Sequence, residues 1–265
     1  MTTIATRPAL PDRALPWAGA LAVLALFELA SRTELIASRF FPPVSTWVST
    51  LAEEATGGEF WRAVGNTLEG WAIGLGLACA IAIPAGFVIG SSPLLYRALR
   101  GVIEFLRPIP SVALIPLAVL VYGGGLQSKV FLATFASVWP LLMQTLYGVQ
   151  DTDPVATDTA RSFGFSRAQR LLRVTLPGAV PYIATGVRIS AAVALILVVT
   201  AELVIGSPGL GREINLARQG QNVELMYALI LATGLLGVAV NLLFTRVERR
   251  VLHWHPSQRA EVAGR

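Results

Sequence analysis

The sequence predicts an all-α, polytopic membrane protein of about six transmembrane helices. Three observations predict it. Of 265 residues, 54% are hydrophobic and only 14% charged, and the mean hydropathy is +0.62; a soluble domain is ordinarily about a quarter charged. The charges are missing over whole stretches, since Gly70–Tyr96, Val130–Val149 and Leu225–Phe244 carry none. About 20 helical residues cross the ~30 Å hydrocarbon layer, and helix is required because lipid offers backbone groups no hydrogen-bond partner. The basic residues are also unevenly placed. With a cytoplasmic N-terminus, the inside segments 1–13, 91–101, 150–182 and 246–265 hold 13 Lys and Arg, and the outside segments 32–62, 123–129 and 206–224 hold six. That asymmetry puts both termini in the cytoplasm.

The elements follow in order. Residues 1–13 form a polar N-terminal tail with Arg7 and Arg13; no small-x-small cleavage site follows, so the first apolar run is expected to be retained. Span 1 runs from Ala14 to Ser31 with Glu28 as its only charge. The loop 32–69 carries Phe40-Phe41-Pro42-Pro43 and an amphipathic stretch through Trp61, which reads equally as one or two surface helices or as an exposed connector. Span 2 lies within Gly70–Tyr96. Span 3 runs from near Pro108 to about Leu126, span 4 from Val130 to Val149, span 5 from about Ile183 to Ile205, and span 6 from Leu225 to Phe244. The membrane domain is thus 14–245, with a cytoplasmic basic tail at 246–265. Gly70 with Gly74, and Gly86 with Gly90, have the spacing that permits close helix approach.

Several functions are excluded. Cys79 is the single cysteine, which rules out a disulfide framework and any CxxC metal site. The histidines His253 and His255 both lie in the tail, so neither a metal site nor a Ser/His catalytic site is expected within the membrane. The net charge of +5 does not point to nucleic acid, because the basic residues are not clustered with aromatics. No GxxxxGK[ST] phosphate loop occurs, and Lys129, the only lysine, follows no such run.

The loop 150–182 is the most informative segment. Asp153-Pro154 opens a helix, with Asp as cap and Pro in the first turn. Residues 155–163 make about two turns. Gly164 can end them in the left-handed conformation. Ser166 then caps a second helix from Arg167 to Val174, and Pro177 and Pro181 punctuate the start of span 5. The expectation is helix, glycine turn, helix.

Asp158-Thr159-Ala160-Arg161-Ser162-Phe163-Gly164, followed after nine residues by Val174-Thr175-Leu176-Pro177, resembles the EAA motif of ABC importer permeases. Asp158 stands for Glu, Thr159 for the first Ala and Val174 for Ile. The stretches Phe41-Pro42-Pro43-Val44-Ser45, Asn66-Thr67-Leu68, Phe105 through Pro110, Ile115-Pro116-Leu117, Ala201-Glu202-Leu203 and Pro208-Gly209-Leu210-Gly211 are similar to the nitrate/sulfonate/taurine branch of that family. The resemblance implies a type I importer permease in the bacterial inner membrane, with no cofactor on this chain. It implies ATP and Mg on a separate ATP-binding subunit present in two copies, a second and identical permease copy, and a periplasmic or lipid-anchored solute-binding protein. It implies that the short helix docks on the ATP-binding subunit. Asp158, Ala160, Arg161, Phe163, Gly164, Phe165 and Pro177 are the coupling candidates, with Phe163 and Phe165 either as apolar knobs or tucked under the loop against span ends, and Arg161 facing acidic groups.

Pathway candidates come from polar or helix-breaking residues inside spans. Pro108, Pro110 and Pro116 free carbonyls in span 3, which is tolerated where protein or a water-filled path satisfies them. Ser111, Trp139 and Gln144 are polar or large groups within spans. Arg188 either attracts an anion or snorkels to the interface. Glu202, an ionisable group inside a span, is expected to have a structural or gating role and to pair with Arg212 or Arg218. The rival reading, a secondary transporter or channel subunit, lacks the coupling charges or filter such proteins need.

Overall fold

A computed structural model describes residues 15–33, 35, 37 and 39–252, and these are helical throughout apart from their connections. The N-terminal tail 1–13 and the histidines lie outside the described residues.

Helix α1 is Leu15–Arg32 and the surface helix α2 is Val44–Glu54. They are tied by the one charge of the first span. The Glu28 carboxylate accepts from the Ser45 backbone N–H (3.0 Å), from Ser45 Oγ (2.8 Å) and from Arg32 Nε (2.6 Å), so it caps the first turn of α2. Trp47 of α2 stacks on Tyr227 of the last helix, with centroids 4.8 Å apart, and Phe41 meets both rings edge-on.

Helix α3 is Gly58–Gly90, roughly 50 Å long. The helix that carries the second span therefore begins a dozen residues before the expected Gly70, and Trp61 sits in its first turns. Nothing between Glu59 and Glu69 breaks the ladder, and Thr67 is needed inside the bundle, where it is fully buried. The span ends at Gly90 instead of Tyr96 because Ser92 accepts from Leu95 N and Pro93 takes the first position of the next helix, α4 (Pro93–Leu106).

The third span is the largest departure from expectation. No continuous helix crosses there. Helix α4 meets a 3-10 turn, Ser111–Leu114, and the short helix α5, Ile115–Tyr122, at an angle of 79°. The prolines start helices here and do not kink one. Pro110 precedes the 3-10 turn, Pro116 lies in the first turn of α5, and Gly123 (φ +76°) ends it.

Helix α6, Leu126–Gln150, is the most enclosed and lies between α3 and α9 (Leu176–Ile205). Every fourth residue of α3 from Gly70 to Gly90 is Gly or Ala, and this stripe lies on α6. A Cβ on Gly74 would stand 2.7 Å from that of Ala133, and one on Gly86 2.6 Å from that of Thr145, so only glycine lets the backbones close. On the other side, Ser137 and Ser190 each donate to the other's carbonyl (3.2 and 2.8 Å), and Trp71 Nε1 donates to Ala191 O (2.9 Å). These bonds hold α3, α6 and α9 in register where apolar packing alone does not specify it.

Between α6 and α9 come α7 (Pro154–Ser162) and α8 (Arg167–Arg170). The expected break before Pro177 is absent. A π turn, Leu171–Thr175, joins α8 to α9, and Arg167–Ile205 runs as one helix of 39 residues. A wider turn relieves the hydrogen bond and the space that Pro177 would otherwise cost. Helix α10, Leu210–Gln219, folds back onto α3 and α9, and α11, Val223–Val251, completes the bundle after an Asn222 cap. The helix thus continues past the expected boundary at 245.

Among the described residues four helices, α3, α6, the joined α8–α9 and α11, are long and apolar enough to cross a membrane, and the bent pair makes a fifth span if taken together. Helix α1, with 18 residues, is at the lower limit of spanning length. Leu77, Ile81 and Val88 of α3 and Leu235, Val238 and Leu242 of α11 are exposed, as lipid-facing residues are.

Candidate functional site

The loop between α6 and α9 is built as a rigid unit. Asp153 Oδ1 accepts from Val155 N (2.8 Å) at the start of α7. At its end Gly164 N–H donates to Arg161 O (2.9 Å) and Phe165 N–H to Ala160 O (3.0 Å), the paired bonds of a Schellman turn, with Gly164 at φ +77°. Ser166 and Gln169 then cap α8 reciprocally, at 3.3 and 2.8 Å. Every connection from Asp153 to Gln169 is thus hydrogen-bonded, and the only hinge-like residue is already locked.

The candidates in this loop divide. Ala160 is buried and seats α7 on the protein. Phe163 is 78% exposed, a large ring with no intramolecular reason to be there. Phe165 is half-buried with the Arg173 guanidinium 5.7 Å from its ring centroid, so the two aromatics are not equivalent knobs. Asp158 and Arg161 form an exposed pair at 3.8 Å, which contributes little to stability. Pro177 lies in the first turn of α9, inside the long helix and one turn from the loop. A groove of about 890 Å³ lies between α7, α8 and the ends of α3 and α6, with Asp158, Arg161, Arg167 and Arg170 on its walls.

At the other end of α9, Glu202 is fully buried. Its partner is neither Arg212 nor Arg218. Oε1 accepts from Lys129 Nζ (2.9 Å), and Oε2 accepts from Thr67 Oγ1 (2.8 Å) and from the Gly211 N–H (3.1 Å). Lys129 donates further to Asn66 O (2.8 Å) and Pro208 O (2.9 Å), and Thr67 Oγ1 accepts from Leu210 N–H (2.9 Å). All three ammonium protons are used, so the charges are buried at low cost. Gly209, at φ +151°, lies so close that a Cβ there would stand 2.1 Å from the Glu202 carboxyl. The network joins α3, α6, α9 and the turn into α10. Sequence reasoning placed Lys129 in a loop and missed it; the signal was one lysine and one intramembrane carboxylate in the same chain.

The pathway candidates come together only in part. Pro110, Ser111 and Trp139 line one pocket of about 350 Å³, open on one side, together with Arg107, Val193 and Leu197. Pro116 lies outside it, in the first turn of α5. Gln144 packs against Gly186 in the α6–α9 seam, where a Cβ on the glycine would stand 2.9 Å from that of Gln144. Arg188 pairs with Glu248 of α11 at 3.6 Å. Arg107 was outside the candidate set.

Residues 74–253 match the family described as "Binding-protein-dependent transport system inner membrane component". The chain is 33% identical over 243 residues to the taurine transport system permease protein TauC of Escherichia coli (strain K12), covering 89% of this chain and 88% of the relative. It is 31% identical over 196 residues to the nitrate import permease protein NrtB of Leptolyngbya laminosa, covering 74% and 70%. Among solved structures, the inward-facing MetNI methionine ABC transporter aligns with a TM-score of 0.66 at 20% identity, covering 75% of this chain and 98% of that one, which is a likeness of fold. An all-helical bundle of apolar spans, a family match over most of the chain and two permease relatives over most of their length agree: the chain belongs to the family of binding-protein-dependent transport system inner membrane components, the permease subunits of ABC importers.

Proposed function

We propose that this chain is one of two identical membrane halves of an ATP-driven importer for a small anion of the aliphatic sulfonate, taurine or nitrate class, with both termini in the cytoplasm. The substrate class rests on the names of the taurine and nitrate relatives. The orientation rests on the excess of Lys and Arg in the segments on the α7 side. The chain itself is not catalytic: as in its family, ATP hydrolysis belongs to a separate subunit. ATP and Mg bind there, and an extracytoplasmic binding protein delivers the solute.

The observation that carries the reading is the locked loop with Phe163 standing out from it. Closure of a separate ATPase must be passed on as a displacement, and a flexible loop would absorb it. Here α7 is fixed to α8 by the Schellman turn and the capping box, and α8 is continuous with α9. A push on Phe163 therefore reaches α9 along one helix of roughly 58 Å. The far end of α9 is held to α3 and α6 by Glu202, Thr67 and Lys129, so a push at the α7 end swings the middle of α9. That middle carries Val193 and Leu197 on the wall of the 350 Å³ pocket. The motion alternately opens and closes the path between the two halves.

Co-expression with an ATP-binding subunit tests this. The wild-type chain copurifies with it and confers ATPase activity stimulated by the binding protein. Gly164→Pro, which cannot adopt φ +77°, separates the subunits or abolishes stimulation while the chain stays folded. Stable expression with no affinity for any ATP-binding subunit overturns the reading.

A further inference from the structure

We propose that Arg107, at the break of the bent third span, is the charged residue of an anion-binding station halfway along the path, with Ser111 supplying a neutral donor beside it. The inference rests on the reading above and adds to it the site and the residue that set the sign of the charge.

Position comes first. Ala136, Trp139 and Pro140 on the pocket wall lie at the middle of α6, which is roughly 37 Å long, so the pocket stands some 15–20 Å from either end of that helix. Arg107 lines this pocket and also a second one of about 220 Å³ beside Arg100 and Glu104, and a guanidinium within a span is expensive unless something there requires it. Arg107 is not neutralised by the chain. Glu104, one turn earlier, is engaged by Arg100 Nε at 2.7 Å, and among the described residues no carboxylate lies within ion-pair distance of Arg107. The lining of the pocket contains no acidic residue. Ser111 makes no side-chain hydrogen bond among the described residues, and the buried Nε1 of Trp139 has no acceptor. Two donors without acceptors, Arg107 and Ser111, thus line one open pocket, against walls of Val193, Leu197 and Pro110.

The backbone explains how the charge comes to be there. A continuous span would leave position 107 packed in a helix face. The 79° bend between α4 and the 3-10 turn places it at the corner, with Ser111 at the start of the next element. Broken helices at mid-membrane are tolerated where they line a cavity. A pocket of this volume admits a sulfonate, a carboxylate or nitrate with water, and its donors suit oxygen acceptors. A cation finds only like charge.

The test needs no knowledge of the natural solute. In a Cys79→Ala background, Ser111→Cys is reacted in the purified transporter complex with an anionic and a cationic methanethiosulfonate reagent, each rate normalised to that with a free small thiol. The anionic reagent is expected to be favoured, and Arg107→Gln is expected to cut that preference about tenfold, whereas Arg107→Lys keeps it. Val112→Cys, in the same pocket, gives the same pattern if Ser111→Cys perturbs folding, and Gln221→Cys, outside it, shows no change with Arg107→Gln. No reaction at positions 111 and 112, or a preference indifferent to Arg107, overturns the proposal. ATPase activity of the same complexes separates the two readings: loss of coupling with the anion preference intact sinks the importer mechanism and leaves the anion site standing. Uptake of labelled taurine and nitrate into proteoliposomes is expected to fall in Arg107→Gln and to be kept in Arg107→Lys.

Discussion

At the residue scale, the buried charges are the clearest case of one side chain fixing several elements. Lys129 and Glu202 are 3% and 0% exposed, and each is fully hydrogen-bonded only while the other is present. Removing one leaves an uncompensated charge, which typically costs about 3–5 kcal/mol, whereas removing both leaves only unfilled space and idle neutral donors. Lys129→Met is therefore expected to lower the thermal stability of the detergent-purified chain strongly. Lys129→Met with Glu202→Met is expected to recover a good part of the loss. A double-mutant cycle by thermal denaturation checks this, and additive losses would show the pair to be incidental. The sequence announced Glu202 as unusual but misassigned its partner. Spacing cannot say that a lysine 73 positions away, assigned to a loop, closes onto it, and nearer arginines in the adjoining loop were the reasonable alternative. Gly164 shows the opposite case. Its role depends only on its neighbours in sequence, and the turn, the caps and the positive φ were all legible.

At the scale of elements, locally determined features were readable and those set by packing were not. Spans 4 and 6 follow from uninterrupted apolar runs, and α7 follows from Asp153-Pro154 and Gly164. The early start of α3 was missed because hydropathy marks where lipid begins and not where helix begins. Its first dozen residues are polar enough to look like surface, yet Thr67 points inward. The third span was missed as a bent pair because proline permits either a kink or a fresh start, and the choice rests on the packing of α5 against α6. The join at Pro177 was missed because a π turn has no sequence signature. The glycine stripe of α3 was read correctly, and it supports a prediction. Gly74→Leu forces α3 off α6, since even a Cβ there stands 2.7 Å from Ala133. It is expected to cost several kcal/mol, above the usual 1–3 for overpacking, because backbone and not side chain must move. A lowered melting temperature and loss of assembled complex are the readouts; the same substitution at Gly76, where a Cβ meets nothing, is expected to be tolerated.

At the scale of the whole molecule, the arrangement is a lever with a fixed far end. In the proposed mechanism the long helix from Arg167 to Ile205 receives force at α7; it is clamped at Glu202 and carries pocket wall between. That account requires α7 on the cytoplasmic face and α10 on the other. In the Cys79→Ala background, an impermeant thiol reagent applied to intact spheroplasts is expected to label Gln221→Cys, and to label Asp158→Cys only after permeabilisation. The reverse pattern contradicts the charge-based orientation. The overall class and the family were legible from composition and the loop motif, because these depend on solvent and on short-range chemistry, whereas about six spans were expected and the described residues give four, or five with the bent pair. The pocket was half-legible: Pro110, Ser111 and Trp139 were flagged singly, but only the fold brings them beside Arg107.

The central claim is that Phe163 touches the ATPase. A photo-reactive phenylalanine analogue at position 163, activated in cells that also produce the ATP-binding subunit, tests it most directly. The account predicts a cross-link to that subunit whose yield changes when ATP is trapped, and none from position 165, which is tucked against Arg173. Cross-linking of position 163 only to lipid or to the permease itself would contradict it.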